Sequence, residues 1–180
     1  MLLRKINAAI SLVTTVLLLV HAIFFSIWML SGGSIAKSAD NIPWILAGLM
    51  LVHAILSIVL AILGKKGAVK QKCNTYPKMN IPTFVQRITG IMMIVLLGIH
   101  VAGSFNHFQP KILHVIAQPL FFSISMAHIS ISTSKAFISL GLGNAKIVKI
   151  IDIVMRIICT MTILASVTGF CLCLFVGVSK

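Results

Sequence analysis

The chain of 180 residues is 59% hydrophobic and 9% charged, against roughly 25% charged in a soluble globular domain. Asp40 and Asp152 are its two carboxylate side chains, there is no glutamate, and 15 lysines and arginines leave a formal net charge of +13. This composition excludes an ordinary soluble globule and any catalysis that needs a carboxylate pair from this chain. It also makes the basic residues topology signals of a membrane protein before it makes them nucleic-acid contacts, and no nucleic-acid partner is expected.

Five apolar stretches reach the length of about 20 residues that spans a bilayer. In chain order they run Ile6 to Leu30, Pro43 to Leu63, Thr83 to Ser104, Ile112 to Ser134 and Ile147 to Val176. The expected fold is all-α, a single integral-membrane domain over residues 1–180 with five transmembrane helices. The first stretch is too long and too rich in Thr, Ser and His for a signal peptide, and no small-residue cleavage site follows it. Arg4 and Lys5 precede span 1; Lys65, Lys66, Lys70, Lys72, Lys78 and Arg87 lie between or just inside spans 2 and 3; Lys135, Lys146, Lys149 and Arg156 surround the turn between spans 4 and 5. Only Lys37, Lys111 and Lys180 fall on the other side. The positive-inside rule therefore puts the N-terminus in the cytoplasm and the C-terminus outside, and the Lys65 to Lys78 loop is free to dock an acidic soluble partner as well. Cys159, Cys171 and Cys173 lie in span 5 and Cys73 in the inner loop, a distribution of unpaired fillers rather than a disulfide or zinc framework.

Histidine carries the most information, because it is expensive within a membrane. His21 lies in span 1, His53 in span 2, His100 in span 3 and His128 in span 4, while span 5 has none and His107 and His114 lie near the outer loop. At about 1.5 Å per residue, His21 and His100 stand roughly 22 to 26 Å above the inner ends of their spans, and His53 and His128 roughly 9 to 15 Å above theirs. In an up-down bundle spans 1 and 3 face each other diagonally, as do spans 2 and 4. The natural pairs are His21 with His100 at the outer level and His53 with His128 at the inner one.

Zinc or copper would recruit further ligands at the same level, and none is at hand. Haem b needs only two axial imidazoles, so each pair suits one haem, and two haems would form an electron wire across the bilayer within a four-helix diheme-binding core. The alternatives are a histidine proton relay in a transporter, which generally includes acidic residues, and isolated polar residues bonding between helices. Gly90 stands ten residues before His100 and Ser11 ten before His21, small residues at the inner-haem level that allow close helix approach. Met92, Met93, Met126 and Met155 read as packing rather than as ligands.

The stretch Gln86-Arg87-Ile88-Thr89-Gly90 followed by His100 resembles the Gln-x-x-(Ser/Thr)-Gly…His signature of the cytochrome b membrane subunit of succinate dehydrogenases and fumarate reductases. Five spans with histidine in the first four resemble, more specifically, the diheme class with a single anchor subunit. The likeness extends over nearly the whole chain in layout, and at residue level over Gln86 to His100, the His53-Ala54 neighbourhood, and His128 with Lys135 seven positions on. The resemblance implies that His21 and His100 hold a distal haem and His53 and His128 a proximal one, the pairing that depth also suggests. It further implies flavoprotein and iron–sulfur subunits on the cytoplasmic side, a quinone of the menaquinone rather than the ubiquinone type, and residence in the inner membrane of a prokaryote. This chain has no dinucleotide fingerprint and no cysteine cluster for iron–sulfur ligation, so electron transfer, quinone binding and anchoring would be its share. A quinone-reactive cytochrome b serving another dehydrogenase or reductase is the neighbouring expectation; a small transporter or assembly protein with structural histidines is the one from a different class.

Members of this class use an acidic residue shortly after span 1 near the distal haem, and Asp40 is the one residue available for that part. Its other reading is a capping aspartate before Pro43. The glutamate tied to a transmembrane proton path in some members has no counterpart. His107, Gln109, Lys111 and His114 are candidates for contact with propionates or quinone, Arg87 and Lys135 for partners of the inner propionates, and Trp28 and Trp44 for interfacial anchors. Asp40→Asn is expected to slow quinone turnover while preserving the haem spectrum; unchanged turnover would remove Asp40 from the site.

Overall fold

The computed structural model describes residues 2–30, 42–68, 81–104 and 111–176. Apart from a turn at residues 141–144, all of these are helical. The helices are α1 (Leu2–Leu30), α2 (Ile42–Ala68), α3 (Ile81–Ser104), α4 (Lys111–Leu140) and α5 (Ala145–Val176). Four contain stretches long and apolar enough to cross a membrane: Leu2–Ile27, Pro43–Leu63, Thr83–Ala102 and Ala145–Leu172. The described part of α4 falls short of that apolarity, because Ser, Thr and His128 alternate with its apolar residues, although its 30 residues give it the length.

The polarity of α4 follows from its position. It packs against α1, α3 and α5, whereas α2 packs against α1 and touches α3 only slightly. Among the described residues the backbones of α1 and α3 do not meet, nor do those of α2 and α4. The first four helices thus form a ring in chain order, with α1 facing α3 and α2 facing α4 across it, loosely closed between α2 and α3. The fifth helix covers the edge where α1 meets α4.

Buried residues of α4 recur every three to four positions, at Ala117, Phe121, Ser125, Ile129, Thr133 and Ala136, with Phe122 and Met126 widening the stripe. A helix with this broad a buried arc is an interior helix. Leu18 and Ala22 of α1, Leu46 and Met50 of α2, Met93 and Leu96 of α3 and Cys159 of α5 complete the core around it. Phe25 and Phe122 stack with centroids 5.3 Å apart. Where α1 meets α5 the contact is small and polar: Ser26 lies beside Ser166, their hydroxyls 2.9 Å apart and buried. Small residues permit such close approach, and the hydroxyl bond satisfies groups that lipid cannot.

The other faces of α1, α2, α3 and α5 are apolar outward. Phe24, Leu51, Ile55, Ile91, Val95, Ile157 and Met161 are all exposed, a surface of the kind that acyl chains cover. Met93 and Met126 are buried and Met155 packs on the core, while Met92 is exposed. Cys159 is buried and Cys171 exposed, both as free thiols.

The α4–α5 turn is set by its residues. Gly141 adopts φ 89°, which a side chain would strain. Its N–H donates to the Ile138 carbonyl at 3.0 Å and that of Leu142 to Phe137 at 3.1 Å, the paired bonds of a Schellman motif. Asn144 then caps α5, its Oδ1 accepting from the Lys146 N–H at 3.0 Å. Gly141→Ala is expected to destabilise the fold by about 1 kcal/mol, and Asn144→Ala by about 1 kcal/mol. Thermal unfolding of the detergent-solubilised chain, followed by circular dichroism, checks both; an unchanged midpoint in Gly141→Ala would contradict the turn.

Candidate functional site

Each of the first four helices brings one histidine to the ring, and the ring sorts them into two levels. At the outer level His21 of α1 and His100 of α3 line one cavity of about 70 Å³. All four helices of the ring contribute to its wall, with Trp44 and Met50 from α2 and Phe121 from α4. His100 stacks on Phe121, ring centroids 5.5 Å apart and planes inclined by 24°. Trp44 is therefore more than an anchor at a helix end, because its indole also forms part of this wall.

At the inner level the rings come from α2 and α4. They are His53 and His128, on helices that face each other across the ring. His53 and Ser57 are one turn apart and share a face, which meets the start of α1: Asn7 Nδ2 donates to Ser57 Oγ at 3.2 Å, and the Asn7 backbone lies beside the His53 ring. Asn7 Oδ1 and His53 Nδ1 are buried with no hydrogen-bond partner among the described residues.

The other half of this level is an antiparallel match of α4 with α3. His128 and Lys135 are two turns apart and face Thr89, Gly90, Gln86 and Thr83 in reverse order. His128 Nδ1 lies 3.0 Å from the Thr89 hydroxyl. A Cβ on Gly90 would stand 3.3 Å from His128 Cε1, so glycine is what lets the imidazole lie against α3. Lys135 Nζ donates to Gln86 Oε1 at 2.7 Å and, more distantly, to Thr83 Oγ1 at 3.4 Å. Burial, together with the nearby Arg87 guanidinium, pulls the Lys135 ammonium below the ordinary lysine value.

The sequence-derived candidates thus divide. His21 and His100 are brought to one cavity, and His53, His128, Gly90 and Lys135 to one inner cluster, with Arg87 exposed at its edge. Ser11 turns its hydroxyl to the Ala8 carbonyl of its own helix. Asp152 pairs with Arg156 one turn on, at 2.7 Å. Asp40, His107, Gln109 and Cys73 lie outside the described residues, as do the side chains of Trp28, Lys111, His114 and Cys173. Among the described residues, no three of His, Cys, Asp and Glu gather as a metal-holding group; the arrangement consists of pairs of imidazoles.

Thr89, Asn7 and Phe121 were not singled out by sequence reasoning. Thr89 sits inside the quoted motif and could have been flagged as a hydroxyl one helix away from a histidine. For Asn7, a lone amide in the first turns of an apolar helix was the available signal; Phe121 had none that separates it from other core aromatics. Among known proteins, no family model, curated protein or solved structure matches this chain.

Gly90→Val places methyl groups where His128 now lies, and such overpacking costs about 1–3 kcal/mol. The expected outcome is a lowered unfolding midpoint, with Gly90→Ala milder; equal midpoints for Gly90→Val and the parent would contradict the contact.

Proposed function

We propose that this chain is the diheme cytochrome b anchor of a succinate:quinone or quinol:fumarate oxidoreductase, an all-α membrane subunit of five spans that carries electrons between a cytoplasmic iron–sulfur subunit and a membrane quinone. The observation that carries the reading is the distribution of imidazoles: one with a described side chain on each of α1 to α4, on helices that face each other across the ring, with His21 and His100 at one cavity.

The residues fit two bis-imidazole haem b groups. His21 and His100 would hold the outer one, and His53 and His128 the inner. The donor set suits that group: each pair offers two imidazoles from facing helices, and haem iron asks the protein for no third ligand. Haem b, when bound, supplies a one-electron carrier whose potential follows from its axial ligands and surroundings. The outer cavity of about 70 Å³ is smaller than a macrocycle, so a haem there would require its wall, Trp44 included, to move apart.

The other residues take supporting parts. Lys135 and Arg87 put positive charge at the inner level, where a partly buried propionate gains most from a cation. Gln86 and Thr83 hold Lys135 at that level. The basic inner loops set the orientation, N-terminus in the cytoplasm and C-terminus outside the inner membrane of a prokaryote, and they offer a face to the iron–sulfur and flavoprotein subunits. Asp40, the acidic residue that follows span 1 in the sequence, would exchange protons with an outer quinone of the menaquinone type.

Two features favour a second reading, in which the histidines are structural: the His128–Thr89 bond and the His100–Phe121 stack are what interhelical polar residues make of each other. Reduced-minus-oxidised spectra decide. The purified chain is expected to carry two haem b, with His21→Ala and His53→Ala each removing one and the fourfold variant removing both. No α band, or full haem content in all four single variants, would refute the proposal. Co-purification with a flavoprotein and an iron–sulfur subunit separates it from a cytochrome b serving another dehydrogenase.

A further inference from the structure

We infer that Thr89 is a positioning residue, which fixes His128 in the tautomer that carries its proton on Nδ1 and its lone pair on Nε2. The inference about the ring stands on the hydrogen-bond geometry alone; its consequence for iron ligation rests on the reading proposed above.

A threonine hydroxyl has one proton to give and two lone pairs to receive. Thr89 Oγ1 stands 2.8 Å from the Val85 carbonyl and 3.1 Å from that of Gln86, both on its own helix. These carbonyls accept only, so they claim the hydroxyl proton, in the back-bonded rotamer that threonine favours in helices. The same oxygen meets His128 Nδ1 at 3.0 Å. With its proton committed, it can take part in that contact only as acceptor, and Nδ1 must therefore donate. Thr89 is buried, so water does not compete for the arrangement.

The ring is held in position as well as in tautomer. Gly90, the next residue on α3, admits Cε1 to within 3.3 Å of where a Cβ would lie. Two adjacent residues of α3 thus define one imidazole of α4: the threonine assigns its proton and the glycine its distance. The lone pair is left on Nε2, the nitrogen remote from Thr89. A histidine that ligates a metal commonly donates its other ring N–H in this way, which fixes its orientation and raises its basicity.

The test uses the full chain labelled with 15N-histidine. In a haem-depleted preparation, with the His128 signals identified by their absence in His128→Gln, Nδ1 is expected at the protonated and Nε2 at the unprotonated 15N shift. Thr89→Val, which keeps the shape and removes the oxygen, should turn this into a mixture of tautomers, and Thr89→Ser should restore it. In the haem-loaded chain, Thr89→Val is expected to hold the inner-level haem roughly 10- to 100-fold less tightly, with the outer-level haem unchanged and Thr89→Ser like the parent.

A wild-type His128 protonated on Nε2 overturns the inference, and this measurement needs no variant to fold. A tautomer unmoved by Thr89→Val overturns it too. Absence of haem from every preparation, with the expected tautomer intact, refutes the haem reading and leaves the assignment of Thr89 standing.

Discussion

A polar side chain inside a membrane has no water to fall back on, so it must find its partner within the bundle. In this protein the polar side chains gather on α4, the helix whose described part falls short of the apolarity of a membrane span. The helix carries serines, threonines and a histidine through the middle of the molecule, and it is surrounded by α1, α3 and α5. Several of its hydroxyls return to their own helix: Ser123 to the Pro119 carbonyl, Ser132 to that of His128 and Thr133 to that of Ile129. Ser125 Oγ is buried with no hydrogen-bond partner among the described residues, and two other polar groups reach across. His128 meets Thr89, and Lys135 meets Gln86, so that the α3–α4 contact is written in polar groups while α1 and α4 meet through Leu18, Ala22, Phe121 and Phe122.

The ring geometry follows from how unequally the helices are held. Helix α2 leans on α1, through contacts that include the Asn7–Ser57 bond, and reaches α3 only slightly. Lipid tails are as apolar as leucine, so the outward face of α2, with Leu51, Ile55 and Ile58, gains little by packing against another helix. To the interior α2 brings Leu46 and Met50 in the core, Trp44 and Pro43 at the outer cavity, and His53 and Ser57 on the face toward α1. A helix attached in this way leaves room across the ring, and His21 and His100 line the cavity there.

The sequence displayed much of this plainly. Runs of about 20 apolar residues predict helices of spanning length, and helices lie over each of the five stretches read from it. The spacing of histidines from the inner ends predicts two levels, and His21 and His100 line one cavity. The amphipathic pattern of α4 was harder to read, because its buried stripe contains serine and threonine at the positions where a soluble core helix would carry leucine. The α4–α5 turn was legible in Gly141 and Asn144, whose backbone demands are local. The placement of α5 was not, since a stripe of apolar residues looks the same whether it faces lipid or another helix.

The sequence by itself determined which segments are helices and how far along its helix each histidine lies, because these depend on composition and on rise per residue alone; of the five stretches it offered, four are apolar enough to cross a membrane among the described residues. Only the tertiary structure decided which side chains meet at those heights. Thr89 and Gly90 were visible as a hydroxyl and a glycine, but their contact with His128, 39 and 38 positions on in the chain, depends on the rotation of α3 about its axis and its register against α4. Rotation and register are set by the sum of many small contacts between two helices, and no local stretch of sequence contains that sum.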